Sequence, residues 1–440
     1  MKNQSPAAEV PASRRALVEA IVASTVGTTI EWYDFFLYGV MAALVFPKLF
    51  FPQASPFVGQ LLSFGTYTTG FVARPLGGAI FGYLGDRIGR KSTLVATLLL
   101  MGLSTTCIGL LPTHDQIGLT APIALTLLRI VQGLGVGGEW GGSVLLALEY
   151  GHRGRRGFFA SWPQAGVPLG LLGSAGIVAI LQGWMSAESF LDWGWRVPFL
   201  LSAVLILVGF VIRIRIFETP LFRQLQETKQ VAHAPITETL QKHWREVLLV
   251  MGSRISENSC FYLFAIYVLT YGETVLGVER SQMLRAVNVA AAVEFFCIPL
   301  WGYLSDRWSR KGMFLAGSLA LIAFAGPYYF LLEKREPFAI VTAVVISLAC
   351  CHAMLYSVQA SLIPELFGTR LRYTGASLGY QLAAPIAGGT APLIAASLVH
   401  AYPGNWGPLA AYLVVISVLS LGCVYFLAET SRKDLSAASE

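Results

Sequence analysis

The chain has 440 residues, of which 55% are apolar and 13% are charged, and its mean hydropathy is +0.61. Because a soluble domain carries about 25% charged residues, this composition excludes an ordinary soluble protein. The aromatic content of 12% also excludes a disordered chain. One transmembrane helix uses about 20 apolar residues, so the apolar content suffices for about twelve of them. The composition therefore predicts a multi-pass α-helical membrane protein.

Taken in chain order, apolar stretches predict six membrane spans before a polar break and six after it. Each stretch is far longer than the roughly 9–11 residues of a β-barrel strand, which indicates an all-α membrane protein. The predicted spans lie near 17–46, 58–84, 92–111, 121–149, 158–182, 194–216, 245–272, 282–304, 312–332, 338–363, 374–399 and 407–428.

The two halves of the chain repeat each other. The loop 82–91 (G-Y-L-G-D-R-I-G-R-K) returns 220 residues later as 302–311 (G-Y-L-S-D-R-W-S-R-K), at the same place in its half. Membrane proteins built from two repeats commonly hold a substrate site between the halves and expose it alternately to either side. The predicted segments are a cytoplasmic N-terminus 1–16, a six-helix lobe 17–216, a cytoplasmic linker 217–243, a second six-helix lobe 244–428 and a cytoplasmic tail 429–440.

Lysines and arginines concentrate at the termini, in the linker and in alternate loops, among them both copies of the duplicated loop. The positive-inside rule assigns this side to the cytoplasm, so both termini are predicted to lie inside. The net charge of +6 is part of this bias, and we expect no nucleic-acid partner. The duplicated loops are predicted to act as gating clamps between the lobes. Their candidate gating residues are Asp86, Arg87, Arg90, Asp306, Arg307 and Arg310.

Further motifs accompany the duplicated loop, namely E-W-Y-D-F at 31–35, R-P-L-G-G at 74–78, R-I-V-Q-G at 129–133 and G-G-E-W-G at 137–141. The loop resembles the signature of the major facilitator superfamily. The other motifs look like its metabolite:proton symporter branch, whose members carry shikimate, α-ketoglutarate, citrate, related acids, or proline and betaine. The stretch 372–381 looks most like the shikimate-type members. The resemblance implies the major facilitator fold, with 12 transmembrane helices in two pseudo-symmetric lobes, driven by the proton gradient without a cofactor.

Intramembrane charge is the main functional signal, because each ionised side chain at a helix centre costs about 2.5–3.5 kcal/mol. The candidates within the predicted spans are Glu31, Asp34, Arg74, Arg129, Glu139, Arg254, Glu257 and Glu294. If each of these three arginines takes one of the five acids, two carboxylates remain without a counter-charge and can hold a proton.

Asp34 is our first choice for the proton carrier, with Glu31 and Arg129 as its coupling partners. Asp34 and Arg129 match the aspartate and arginine that couple protons in the superfamily's sugar porters. A permanent interhelical ion pair is the alternative interpretation. The predicted charge network is completed by Arg74, Glu139 and Glu294.

The predicted substrate site uses polar side chains that share helix faces. An arginine is well suited to an anionic substrate, because its guanidinium binds a carboxylate bidentately. His352 shares a face with two further polar side chains, and we interpret it as a structural donor, with a proton relay as the alternative. The candidate substrate-binding residues are Tyr38, Arg129, Gln132, Arg254, Glu257, Tyr262, Tyr356 and Gln359.

These features predict a monomeric proton-coupled symporter that imports a small organic acid across the plasma (inner) membrane by alternating access. The acid would be a mono- or dicarboxylate resembling shikimate or α-ketoglutarate. The alternative is a proton-coupled carrier of betaine or proline, in which aromatic faces would bind a quaternary ammonium. A membrane sensor is disfavoured because no segment is long enough for an output domain. An enzyme is disfavoured because the spans show neither a nucleophile–base pair nor metal-ligand spacing.

Overall fold

The structure of the protein is a computed structural model. It describes residues 14–88, 90–151, 153–214, 235–368 and 371–431. Within these ranges the chain is helical and contains no β-strand, so the prediction of an all-α protein is confirmed.

The long helical segments are numbered α1 to α12 in chain order. The first half, called the N lobe, contains Arg14–Leu44 (α1), Pro56–Ile88 (α2), Arg90–Leu110 (α3), Thr120–Tyr150 (α4), Arg156–Trp184 (α5) and Arg196–Ile214 (α6). The second half, called the C lobe, begins with α7, which consists of Trp244–Tyr262, Leu263–Tyr267 and Val268–Thr274. It continues with Arg280–Arg307 (α8), Arg310–Glu333 (α9), Pro337–Leu366 (α10), Arg372–Ala401 (α11) and Gly407–Phe426 (α12).

Short segments connect the long helices. They are Phe46–Leu49, His114–Ile117, the 3-10 turn Arg153–Arg155, Ala187–Ser189, the π-helical turn Phe190–Gly194 and Pro235–Lys242. The helix Pro235–Lys242 lies inside the predicted linker, whose preceding residues are outside the described part of the chain, as are most of the predicted N-terminus and tail.

Three C-lobe helices contain π-helical turns, which are Leu263–Tyr267 in α7, Ile346–His352 in α10 and Pro385–Gly389 in α11. In the described ranges the long helices of the N lobe contain none. A π turn inserts a residue into the α-helical repeat and is frequent at functional sites. Tyr262 immediately precedes the turn in α7 and His352 ends the turn in α10, so two of these irregularities lie beside the cavity described below.

Within the described residues, nine of the long helices are long and apolar enough to cross a membrane. The other three are α1, α2 and α7, and each carries buried charge that lowers its hydropathy. Asp34 on α1, Arg74 on α2 and Arg254 on α7 are examples, each no more than 2% exposed. Each of these three helices therefore supplies ionisable groups to the interior, as do several of the nine more apolar ones.

Small residues allow the two lobes to approach closely where α5 packs on α8. A Cβ atom added to Gly157 would lie 2.7 Å from the carbonyl oxygen of Gly302, and the reverse distance is also 2.7 Å. Any larger residue at either position would push the helices apart. The second main contact between the lobes is formed by α2 and α11.

The lobes meet at both ends of the bundle. We call the end at which α6 finishes and α7 begins the linker end, and the opposite one the far end. At the linker end, Asp306 of α8 accepts hydrogen bonds from the backbone of α5. Towards the far end, the Thr68 hydroxyl donates to the Gly389 carbonyl over 2.6 Å, and the rings of Phe57 and His400 stack with centroids 4.0 Å apart. Contacts on both sides make this a closed conformation that encloses the space between the lobes.

Candidate functional site

A cavity of about 10 Å³ lies between the lobes. That is only about the room that one water molecule needs, so a substrate requires the lobes to move apart. Two lining residues come from the N lobe and the others from α7, α10 and α11. They are Trp32, Val167, Arg254, Glu257, Asn258, Phe261, Tyr262, His352, Tyr356 and Tyr380.

Arg254 is the cation of this cavity. Its Nη2 forms an ion pair with Glu257, one turn along α7, over 3.1 Å. The Tyr380 ring covers its guanidinium at 3.0 Å, and Trp140 of the N lobe stacks on the other face of Tyr380. Nε and Nη1 of Arg254 and Nδ2 of Asn258 are buried and have no hydrogen-bond partner among the described residues. The cavity thus presents unsatisfied donors beside one fixed positive charge.

His352 connects two buried carboxylates in the C lobe. Its Nδ1 lies 2.5 Å from Oε1 of Glu294 on α8, and its Nε2 lies 3.3 Å from Oε1 of Glu257 on α7. All three residues are at most 3% exposed. The imidazole also stacks on the Tyr356 ring, with centroids 5.1 Å apart. The Glu257–His352–Glu294 triad therefore ties α7, α8 and α10 together on one side of the cavity.

Asp34 has no ion-pair partner among the described residues. Its buried carboxylate accepts a hydrogen bond from Ser202 of α6 and lies beside Thr105 of α3. Gln132 donates to the Thr105 hydroxyl over 2.7 Å and accepts from Nη1 of Arg129 over 3.0 Å. Asp34 and Arg129 are thus linked through two polar side chains rather than in direct contact.

Arg129 and Arg74 lie among aromatic rings instead of carboxylates. The Arg129 guanidinium is 3.9 Å from the Phe35 ring centre and 4.4 Å from that of Tyr38. Arg74 lies 4.1 Å from the ring of Phe35 and 4.6 Å from that of Phe71. Ring faces attract cations, especially away from water. Among the described residues neither arginine has an ion-pair partner, so a pairing of every intramembrane arginine with one acid is not seen in this conformation.

The partner of Glu31 and Glu139 is Arg213 of α6. Its Nη2 lies 3.2 Å from Glu31 and 2.5 Å from Glu139, and its Nη1 donates to the Leu94 carbonyl. Arg213 is 3% exposed. Its sequence context does not single it out, because it lies one turn from the end of the predicted span 194–216, next to Arg215 and the basic residues of the following segment. The available signal was its position inside that predicted span.

A second ionic cluster closes the linker end. Oδ1 and Oδ2 of Asp306 accept hydrogen bonds from the backbone N–H groups of Gly157 and Phe158, each over 2.8 Å. Arg310 lies 3.3 Å from Asp306 and 2.7 Å from Glu365 of α10. The Asp306 carboxylate of the C lobe thereby accepts from two backbone N–H groups in the first turn of α5 in the N lobe, which have no partner within that helix.

The predicted gating residues separate into two groups. Asp306 and Arg310 contact other elements, whereas Arg307 is exposed and lies over the Tyr303 ring at 4.5 Å. The side chains of Asp86, Arg87 and Arg90 are outside the part of the chain that the structure describes.

The predicted substrate residues also separate. Arg254, Glu257, Tyr262 and Tyr356 line the cavity. Tyr38, Arg129 and Gln132 belong instead to the polar cluster near Asp34, and Gln359 lies beside Glu257 without lining the cavity. Sequence reasoning missed several residues that take part in these clusters. They are Trp32, Asn258 and Tyr380 in the cavity, and Ser202, Arg213 and Glu365 outside it.

Two helical lobes that meet across buried charged and aromatic side chains have the architecture of a membrane transporter. The family model of the Major Facilitator Superfamily matches residues 24–384, and the chain belongs to this family. The predicted family and fold are therefore confirmed. The same finding confirms that the protein is a multi-pass membrane transporter and not an enzyme.

Among its relatives is the shikimate transporter of Escherichia coli K12, with 38% identity over 94% of this chain and 95% of the relative. The inner membrane metabolite transport protein YhjE of the same organism is 37% identical over 95% of each chain. The proline/betaine transporter of Salmonella typhimurium is 34% identical over 96% of this chain and 86% of its own length. The solved structure of the proton:xylose symporter XylE shares the fold, with a TM-score of 0.71, 16% identity, and coverage of 96% and 98%.

Proposed function

We propose that the protein is a proton-coupled symporter that imports a small organic acid across the inner membrane, with the linker end and both termini in the cytoplasm. The observation that carries this proposal is the state of Arg254. It is a buried cation that lines the cavity, and two of its hydrogen-bond donors have no partner among the described residues.

An anionic substrate fits these donors better than a neutral one. Unpaired donors in a buried site are costly, and each of the two unused donors, Nε and Nη1, can donate to a carboxylate oxygen on its own edge of the guanidinium. Tyr380, held against Trp140, keeps the guanidinium in one orientation. The amide of Asn258 offers a further donor to a hydroxyl or a second carboxylate. The relationship to the shikimate transporter supports a hydroxylated carboxylic acid.

Proton coupling is proposed to use Asp34, with Arg129 and Glu31 in supporting roles. A buried carboxylate without a cation alongside it is the group most easily held in its protonated form. The pairing of Glu31 with Arg213 makes Glu31 the less favourable carrier of the two. The energy source in this proposal is the proton gradient alone, with no cofactor, and the transporting unit is a monomer.

A zwitterion such as betaine or proline is the second candidate. Trp32, Phe261 and Tyr262 place aromatic faces on the cavity, and such faces bind quaternary ammonium groups. The relationship to the proline/betaine transporter supports this candidate.

An uptake screen tests the proposal and separates the candidates. The protein is reconstituted in vesicles, and radiolabelled shikimate, α-ketoglutarate, citrate, betaine and proline are offered with and without an imposed proton gradient. We expect one of the acids to accumulate, and its accumulation to stop when a protonophore removes the gradient. Accumulation of betaine or proline alone would favour the second candidate. Uptake that is the same with and without the proton gradient would overturn the proposal of proton coupling.

A further inference from the structure

The contacts of His352 require one more proton than a neutral imidazole provides. A neutral imidazole carries a single N–H, so it can donate to only one acceptor. In this structure both ring nitrogens face carboxylate oxygens, at 2.5 Å from Glu294 and 3.3 Å from Glu257. Both contacts are attractive only if an additional proton resides on the imidazole or on one of the carboxylates.

We propose that the Glu257–His352–Glu294 triad is a second proton-binding site, distinct from Asp34, whose proton frees Arg254 to bind the substrate carboxylate. This inference rests on the proposed function, since it assumes an anionic substrate.

Charge balance in the C lobe supports the proposal. Arg254 supplies one positive charge against the two negative charges of Glu257 and Glu294, so one added proton makes the buried cluster neutral. In the N lobe, the three arginines Arg74, Arg129 and Arg213 equal in number the acids Glu31, Asp34 and Glu139 when Asp34 is ionised. Among the described intramembrane groups, the C-lobe cluster is thus the one with more ionised acids than arginines, so its neutrality requires a proton.

The groups that face the imidazole come from several helices. In the described residues, α4, α5 and α9 also pack on α10 but present no ionisable side chain to His352. The thiols and phenols near the triad are uncharged at neutral pH. The ionisable groups around His352 are Arg254, Glu257 and Cys260 from α7, Glu294 from α8, Tyr380 from α11, and Cys351 and Tyr356 from α10 itself.

The triad and Arg254 are coupled because they share Glu257. When the triad is protonated, His352 compensates Glu257, and the positive charge of Arg254, with its free Nε and Nη1, is left for an incoming carboxylate. When the proton leaves, Arg254 becomes the sole counter-charge of two buried acids, and a substrate anion adds a third negative charge. Substrate affinity should therefore fall as the triad loses its proton.

The first test measures equilibrium binding of radiolabelled shikimate to purified protein between pH 6 and pH 9, in an Asp34→Asn background that removes the other proton site. We expect the affinity to fall as the pH rises, by at most about tenfold per pH unit for one linked proton. His352→Gln should bind weakly at every pH. At pH 9, Glu294→Gln should keep the affinity that the wild type has at low pH. Without a proton, the cluster in this variant has the same net charge as the protonated cluster of the wild type.

The two variants should therefore differ in opposite directions in their affinity for shikimate, which general damage to the fold would not produce. His243→Gln, on a partly exposed histidine before α7, is the matched control and should leave the profile unchanged. A pH dependence that survives in both His352→Gln and Glu294→Gln would overturn the proposal.

The second test needs no substrate. The chain has six histidines, so ¹⁵N-histidine labelling gives a simple spectrum in which His352→Gln identifies the signal of His352. We expect the signal to show a doubly protonated imidazole at pH 7. In Glu294→Gln, the imidazole should become neutral at a lower pH than in the wild type. If neither the wild type nor any variant binds shikimate, the proposed substrate is wrong, but the spectrum still shows whether the triad holds a proton. A neutral His352 at pH 7 with both carboxylates ionised would overturn it.

Discussion

Replacing Arg213 with methionine tests how much its ion pairs with Glu31 and Glu139 contribute to the stability of the protein. Methionine keeps much of the apolar volume of the side chain but removes the charge that Glu31 and Glu139 share. Removing one partner of a buried ion pair costs about 3–5 kcal/mol, because the other charge stays buried and uncompensated. All three residues are at most 3% exposed, and two carboxylates lose their counter-charge together. We therefore expect a loss at the upper end of that range.

The loss is measured as the change in free energy of unfolding in mixed detergent–SDS micelles. Adding Glu139→Gln to Arg213→Met should recover about half of the stability, because only Glu31 then remains unpaired. Arg307→Met, on an exposed arginine, is the matched control and should change the stability by less than about 0.5 kcal/mol. A loss below about 1 kcal/mol for Arg213→Met would refute the view that this arginine compensates both acids.

Three further predictions concern transport. Asp34→Asn should abolish proton-driven accumulation in vesicles but preserve counterflow exchange, because the neutral amide imitates the protonated carrier; accumulation at the wild-type level would exclude Asp34. Asp306→Asn should weaken the closure of the linker end by about 1.5–3 kcal/mol, since an amide has one acceptor oxygen for two backbone donors. Faster labelling of an Asn258→Cys reporter from the linker end would show this, and an unchanged rate would contradict it. Arg254→Lys should weaken substrate binding by about 1.5–3 kcal/mol. In competition binding, the acid should displace the substrate far better than its neutral amide, and equal potency would contradict an anionic substrate.

Much of the architecture follows from hydropathy and the internal repeat. The predicted span 194–216 corresponds to the helix Arg196–Ile214, and the i, i+3 pair Arg254–Glu257 is the within-helix pairing that the spacing allows. Both are local properties, fixed by length, polarity and the geometry of a single helix.

The partners of the buried charges could not be obtained in the same way. Glu31 meets Arg213 across a separation of 182 residues, and His352 meets Glu294 across 58 residues (213 − 31 and 352 − 294). Such contacts depend on how each helix is rotated about its axis and on which neighbour it packs against. The repeat relates equivalent positions in the two halves, but it does not indicate which side chains touch.

The π-helical turns were likewise not predicted, because an extra residue in one turn leaves the overall hydropathy of a span unchanged. They make the two lobes mechanically unequal. Each π turn weakens the regular ladder of backbone hydrogen bonds and gives a long helix a place to bend. In the described chain, the C lobe has such joints in α7, α10 and α11, whereas the long N-lobe helices have none. We expect the C lobe to bend at these joints around the bound substrate during transport, whereas bending in the N lobe is expected at the prolines inside its helices, Pro75 in α2 and Pro163 and Pro168 in α5.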